Sequence, residues 1–132
     1  MSYSIRFKAK VEGLDRYIDT GYCTANITYN ARDIIVQSTG LEWENDGNNG
    51  LVSQIIPFIM DGICDLIMNR EKYKRYEANN GWGTVSGVID FFKRILNAWD
   101  ELASEDIELS KIVTFWICLL YTSDAADDRI SV

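Results

Sequence analysis

Two stretches of the chain combine asparagine, glycine and tryptophan at close spacing. LEWENDGNNG contains Trp43, Asn48 and Asn49, and NNGWG contains Asn80 and Trp82. An indole can stack on a planar ligand, amides can read its hydrogen-bonding edges, and glycine lets the backbone approach closely. We predict that these five residues bind a ligand. The alternative is turn-forming sequence in which each tryptophan anchors its loop to the core.

A third segment, ANITYNAR, places Thr28, Tyr29, Asn30 and Arg32 around the predicted start of a helix. Asn30 is a suitable N-cap, and a helix N-terminus attracts anions. The alternative is a strand end followed by an ordinary cap. If this segment and the two loops converge, they form a polar, aromatic-lined pocket suited to a small nucleotide-like ligand.

Other chemistries find little support. The chain has no histidine, so the commonest general base and transition-metal ligand is missing. Cys23, Cys64 and Cys118 show no CxxC spacing; we expect Cys64 in the core and Cys23 buried in a strand. The GWGTVSG stretch is one residue too long for a dinucleotide fingerprint. We therefore predict a non-enzymatic protein with no catalytic residue, metal or cofactor.

The net charge of the chain restricts the classes of partner that it can bind. The 132-residue chain has a net charge of −7, which disfavours direct binding to nucleic-acid phosphates. The charge either serves solubility or lets an acidic surface compete with nucleic acid for a basic protein partner. No signal sequence or apolar run of membrane-spanning length is visible. We expect a cytoplasmic protein with reduced thiols and no membrane partner, and self-association stays open.

Hydrophobic periodicity predicts the order of elements. Residues 3–11 alternate as a half-buried strand, and residues 17–29 read as one or two short strands paired with it. Helices are predicted over 30–40, 53–69 and 84–103, with Thr84 as the N-cap of the last and a short helical turn near residue 72. Pro57 is expected in the first turn of its helix, and Gly40 should end the first one. Residues 41–50 read as a loop, and residues 111–117 as the last strand.

These elements predict an α+β fold. The first and last strands can be neighbours in one mainly antiparallel sheet, with three to four helices packed on one face. We expect a single domain over residues 1–117.

The segments ANITYN, NNG…IIPFIMDGICDL and YEANNGWGT resemble uncharacterised small proteins of tailed phages and prophages of gut Firmicutes. The resemblance covers residues 1–117 and carries no catalytic residue. It implies a phage accessory protein of the host cytoplasm that counters host defence by sequestering a nucleotide signal. The alternative is an acidic protein–protein inhibitor of a nucleic-acid-binding or CRISPR-type defence complex. Both expectations rest on the resemblance and not on the chemistry of particular residues.

The C-terminal stretch CLLYTSDAAD resembles the in-frame translation of a transposase-type sequencing adaptor. The resemblance implies a metagenomic fragment in which residues 118–132 are a non-native tail. The apolar residues 118–121 can still extend the last strand, whatever their origin. From residue 122 onward we expect poor order.

Overall fold

The computed structural model describes residues 1–43 and 46–120. The sheet contains β1 (Ser2–Lys10), β2 (Tyr17–Asp19), β3 (Asn26–Thr28), β4 (Gly47–Leu51) and β5 (Thr114–Leu120). A 3₁₀ turn, Tyr29–Ala31, leads into α1 (Arg32–Thr39). The other helices are α2 (Val52–Met68), α3 (Arg70–Lys74), α4 (Val85–Glu105) and α5 (Ile107–Ser110). The predicted α+β class is confirmed.

The sheet is antiparallel and runs in the order β2-β1-β5-β4, with β3 also paired to β1. β1 and β5 pair from Ser2 opposite Leu120 to Lys8 opposite Thr114, which confirms the predicted contact between the first and last strands. β5 therefore extends three residues past Ile117, as the apolar run allowed. The prediction of poor order falls on residues outside the described part of the chain.

One face of the sheet forms the core. Tyr3, Ile5 and Phe7 of β1 are fully buried together with Phe115 and Ile117 of β5. Helices α1, α2 and α4 pack against one another and contribute to the same apolar cluster. The opposite face is partly open, and on it Lys8 Nζ lies 4.3 Å from the centre of the Trp116 ring.

Several local predictions were wrong. Residues 47–51 form an edge strand instead of a loop, with Gly47 and Gly50 at positive φ around an irregular register. Pro57 lies past the first turn of α2, where it removes the bond to the Ser53 carbonyl; both residues are exposed, so water can satisfy that carbonyl. Cys64 is exposed. Cys23 is buried as expected, but between β2 and β3 instead of within a strand.

A polar contact joins α2 to α3. The buried Tyr73 donates its hydroxyl proton to Asp65, whose other carboxylate oxygen accepts from Asn69 Nδ2 at 2.6 Å. These hydrogen bonds hold the pKa of Asp65 below its ordinary value of 3.8. Burial, and then the bond to Asp65, raises the pKa of Tyr73 to about 12. The tyrosine is therefore a permanent donor at neutral pH.

Replacing Tyr73 with phenylalanine should lower the free energy of unfolding by about 1 kcal/mol at neutral pH, because one hydrogen bond to a carboxylate is lost. The folded-state pKa of Asp65 is lowered, so its contribution exists above pH 3.8 and disappears as the pH falls through the folded-state pKa. Urea unfolding of the wild-type and Tyr73→Phe proteins, near neutral pH and at a pH below the folded-state pKa of Asp65, measures the difference in their free energies of unfolding. The two curves should converge at low pH, and a constant gap would contradict the assignment. Tyr17→Phe, at an exposed ring, is the control.

Candidate functional site

The 3₁₀ turn presents the ANITYN segment at the surface. Thr28 ends β3, and its hydroxyl oxygen accepts from the Asn30 amide at 3.4 Å. The Tyr29 amide donates to the Met1 carbonyl at 3.1 Å, and its ring packs against Tyr3 with centroids 5.3 Å apart. Asn30 was predicted to cap α1, and this is wrong. Thr28 caps the 3₁₀ turn, and α1 begins at Arg32 with no side-chain cap.

The loop between α3 and α4 is held at both ends by side chains. A carboxylate oxygen of Glu77 accepts from the Val85 amide at 2.8 Å. The Thr84 hydroxyl accepts from the Gly87 amide at 3.0 Å, which confirms the predicted N-cap of α4. Within the loop, Asn80 Oδ1 accepts from the Trp82 amide at 2.9 Å. These bonds fix the backbone that carries Trp82.

Gly83 brings the loop against the 3₁₀ turn. A Cβ atom at Gly83 would lie 2.7 Å from the Asn30 carbonyl carbon and 2.8 Å from the Ala31 amide nitrogen. Its φ of +76° is also a conformation that side chains disfavour. Glycine at this position therefore allows two backbones to touch, and that contact places Asn80 and Trp82 beside Thr28, Tyr29 and Asn30.

A surface cavity of about 350 Å³ lies at this junction, which we call the first cavity. Trp82 forms part of its wall with 45% of its surface exposed, a large exposure for an indole. Every lining side chain is uncharged, and five of the nine predicted site residues are among them. The lining residues are Met1, Thr28, Tyr29, Asn30, Asn80 and Trp82.

A second cavity, of about 430 Å³, adjoins the first and shares Tyr29 and Asn30 with it. Arg32, a sixth predicted residue, lines this second cavity with Asp33, Tyr76 and Ala78. Sequence reasoning missed Tyr76 because it precedes the Asn/Gly loop, although its aromatic ring was a usable signal. Asp33 was not among the predicted site residues.

The Arg32 guanidinium is incompletely satisfied. Its Nη1 is inaccessible to solvent and has no hydrogen-bond partner in residues 1–43 and 46–120. An unpaired buried donor of this kind costs about 1–3 kcal/mol. Neighbouring Tyr3 has its pKa raised to about 12 by burial, an effect that the Arg32 charge opposes. Tyr3 is therefore neutral and does not compensate the arginine charge.

The three remaining predicted residues lie elsewhere. Trp43 is 5% exposed and packs in the core against Tyr3 and Phe115, at ring distances of 5.6 and 5.9 Å. The alternative interpretation, an anchor in the core, is therefore confirmed for Trp43 and not for Trp82. Asn48 and Asn49 belong to β4. Asn48 Oδ1 accepts from Gly50, and Asn49 Nδ2 donates to the Gly47 carbonyl, so both amides stabilise the strand locally.

Other reactive groups give no competing centre within the described ranges. No cluster of three or more histidine, cysteine or carboxylate side chains there could hold a metal. Burial raises the pKa of the Cys23 thiol to about 11, which keeps it protonated. None of the described helices has the length and apolar character needed to cross a bilayer.

Fold and site together define a small α+β domain with two adjoining surface cavities, one lined by uncharged and aromatic side chains and one lined by both Arg32 and Asp33. No protein-family model matches the chain, and no curated protein or solved structure matches it significantly.

Proposed function

We propose that this domain is a non-enzymatic binding protein that holds a small nucleotide-like ligand in the first cavity. The observation that carries the proposal is the exposed Trp82 indole, fixed beside three polar side chains by the contact at Gly83. An aromatic side chain at the wall of a polar cavity provides a stacking surface for a base and contributes about 1–3 kcal/mol per base.

The polar groups around Trp82 suit the edge of a base. Asn80 uses its Oδ1 to hold the Trp82 amide, which leaves its Nδ2 protons for a ligand. The Asn30 side chain makes no hydrogen bond within the described ranges and offers a donor and an acceptor. The Thr28 oxygen accepts from the Asn30 amide, so its hydroxyl proton can be donated.

The lining of the first cavity supports binding more than turnover. Its side chains include no carboxylate, lysine or cysteine, and the sequence contains no histidine. The Thr28 hydroxyl and the Tyr29 phenol line the cavity, but no carboxylate, lysine or histidine side chain among the lining residues could activate them as a base. In the setting implied by the phage resemblance, this activity would sequester a nucleotide signal of host defence in the host cytoplasm.

Replacing Trp82 with alanine should weaken ligand binding by about 1–3 kcal/mol, roughly 5- to 150-fold in Kd, because the stacking surface is lost. Calorimetric titration with nucleosides, nucleotides and cyclic di- and trinucleotides first identifies the ligand, and the variant is then titrated with it. Trp82→Phe should retain part of the affinity.

The matched control is Phe58→Ala, which removes a ring with a similar exposed fraction, 49%, from α2. Its Kd should equal that of the wild type. If the folded wild-type protein binds none of these compounds, the proposed function is wrong.

A second candidate function is inhibition of a protein partner. Four apolar residues of α2 are about half-exposed or more, and they are spread around the exposed side of the helix, where a protein partner could contact them. They are Phe58, Met60, Ile67 and Met68. A pull-down from host lysate at low and high salt separates the two forms of inhibitor. An acidic surface on a basic partner gives a salt-sensitive complex, and an apolar contact gives a salt-resistant one.

A further inference from the structure

We infer that the second cavity binds a phosphate group, so that the ligand of this domain is a nucleoside phosphate whose base lies at Trp82 and whose phosphate lies at Arg32. This inference rests on the proposed function, because it assigns the base to the first cavity. It adds the chemical class of the ligand, which the first cavity alone does not define.

The shared wall of the two cavities supports one continuous ligand. Tyr29 and Asn30 line both cavities, so only the 3₁₀ turn separates them. The first cavity is lined by uncharged side chains, and the second is lined by both Arg32 and Asp33. A ligand with a neutral planar end and a charged end matches this difference between the cavities, and a nucleoside phosphate has that arrangement.

Arg32 supplies the reason for an anion. Its side chain forms no ion pair with any carboxylate in residues 1–43 and 46–120, so its positive charge is not neutralised there. Phosphate oxygens are strong acceptors that match the planar array of N–H donors on a guanidinium. A phosphate in the second cavity would lie beside this unpaired positive charge, because Arg32 lines that cavity.

Tyr76 and Asp33 complete the chemistry of the second cavity. The Tyr76 hydroxyl accepts from Arg75 Nη2 at 3.0 Å, which leaves its own proton to donate to a phosphate oxygen. The Asp33 carboxylate repels a phosphate placed directly beside it, but it can accept hydrogen bonds from ribose hydroxyls. The donors therefore assign the phosphate to Arg32 and Tyr76 rather than to Asp33.

The decisive comparison uses the wild-type protein. Calorimetric titration with the four ribonucleosides, their 5′-monophosphates, a cyclic dinucleotide and inorganic phosphate gives each Kd. The preferred base should bind roughly 10- to 100-fold more tightly as its phosphate than as its nucleoside, and this difference should shrink as salt increases. Arg32→Gln should abolish most of the difference between nucleotide and nucleoside. Arg16→Gln, which removes the same charge at an exposed site, should change neither value.

The outcomes separate the two proposals. If nucleoside and nucleotide bind equally at every salt concentration, the phosphate assignment is overturned and the base site stands. If no compound binds the folded protein, the proposed function itself fails. The wild-type comparison needs no variant, so it decides the question even if Arg32→Gln proves unstable.

Discussion

Replacing Gly83 with alanine is expected to lower the free energy of unfolding by about 2–4 kcal/mol and to weaken ligand binding at the same time. The added methyl group would lie 2.7–2.8 Å from the peptide between Asn30 and Ala31, and both sides of that contact are backbone. Neither side can turn away as a flexible side chain would, so the loop must move. Steric strain at φ +76° adds about 1–2 kcal/mol to the cost of overpacking.

Gly81→Ala is the matched control for this change. Gly81 lies in the same loop with a φ of +83°, but no atom would come within 4 Å of its new methyl group. It should therefore show only the strain, about 1–2 kcal/mol, and should bind ligand with little change. Urea unfolding and calorimetry measure both effects. Equal losses of stability in the two variants would show that the backbone contact at Gly83 does not hold the site together.

Replacing Trp43 with alanine should cost about 3–5 kcal/mol of stability, the usual result of emptying a large aromatic site in a core. Its ring contacts Tyr3, Phe91 and Phe115 at centroid distances of 5.6, 6.1 and 5.9 Å. Chemical denaturation gives the loss directly, and the milder Trp43→Phe provides enough folded protein for titration.

Ligand affinity should be unchanged in Trp43→Phe, because Trp43 lines neither cavity. Trp82→Ala should show the reverse pattern, with a small change in stability and a large change in Kd. If the Trp43→Phe protein is folded but has lost its affinity for the ligand, Trp43 belongs to the binding site, and its assignment to the core alone is contradicted.

Periodicity predicted most of the fold, because burial of apolar side chains imposes it directly. The alternation from Tyr3 to Phe7, the spacing of isoleucines along α2 and the Thr84 cap all appear as expected. β4 escaped prediction because Gly47, Asn48 and Asn49 are typical turn residues, and only pairing with β5 makes them a strand. Such pairing is a property of the tertiary structure.

The candidate site was predictable by residue type but not by position. Thr28, Asn30 and Trp82 were identified from composition, and the structure brings them together. Local composition does not distinguish Trp43 from Trp82, because both lie near asparagine and glycine residues in predicted loops. Trp43 is buried and Trp82 is exposed because only the Trp43 ring packs against the sheet, which is a property of the tertiary structure. The close contact at Gly83 likewise joins two backbone segments that are far apart in sequence.

The pairing of the first strand with the last has a consequence for how the chain folds. β1 lies between β5 on one side and β2 and β3 on the other, and its longest partner is β5. During synthesis, the helices can form early from local contacts, but β1 remains without that partner until residues 114–120 have left the ribosome. Contacts over such long sequence separations also slow folding. The risk of aggregation is greatest in this interval, because the edge of β1 is then exposed.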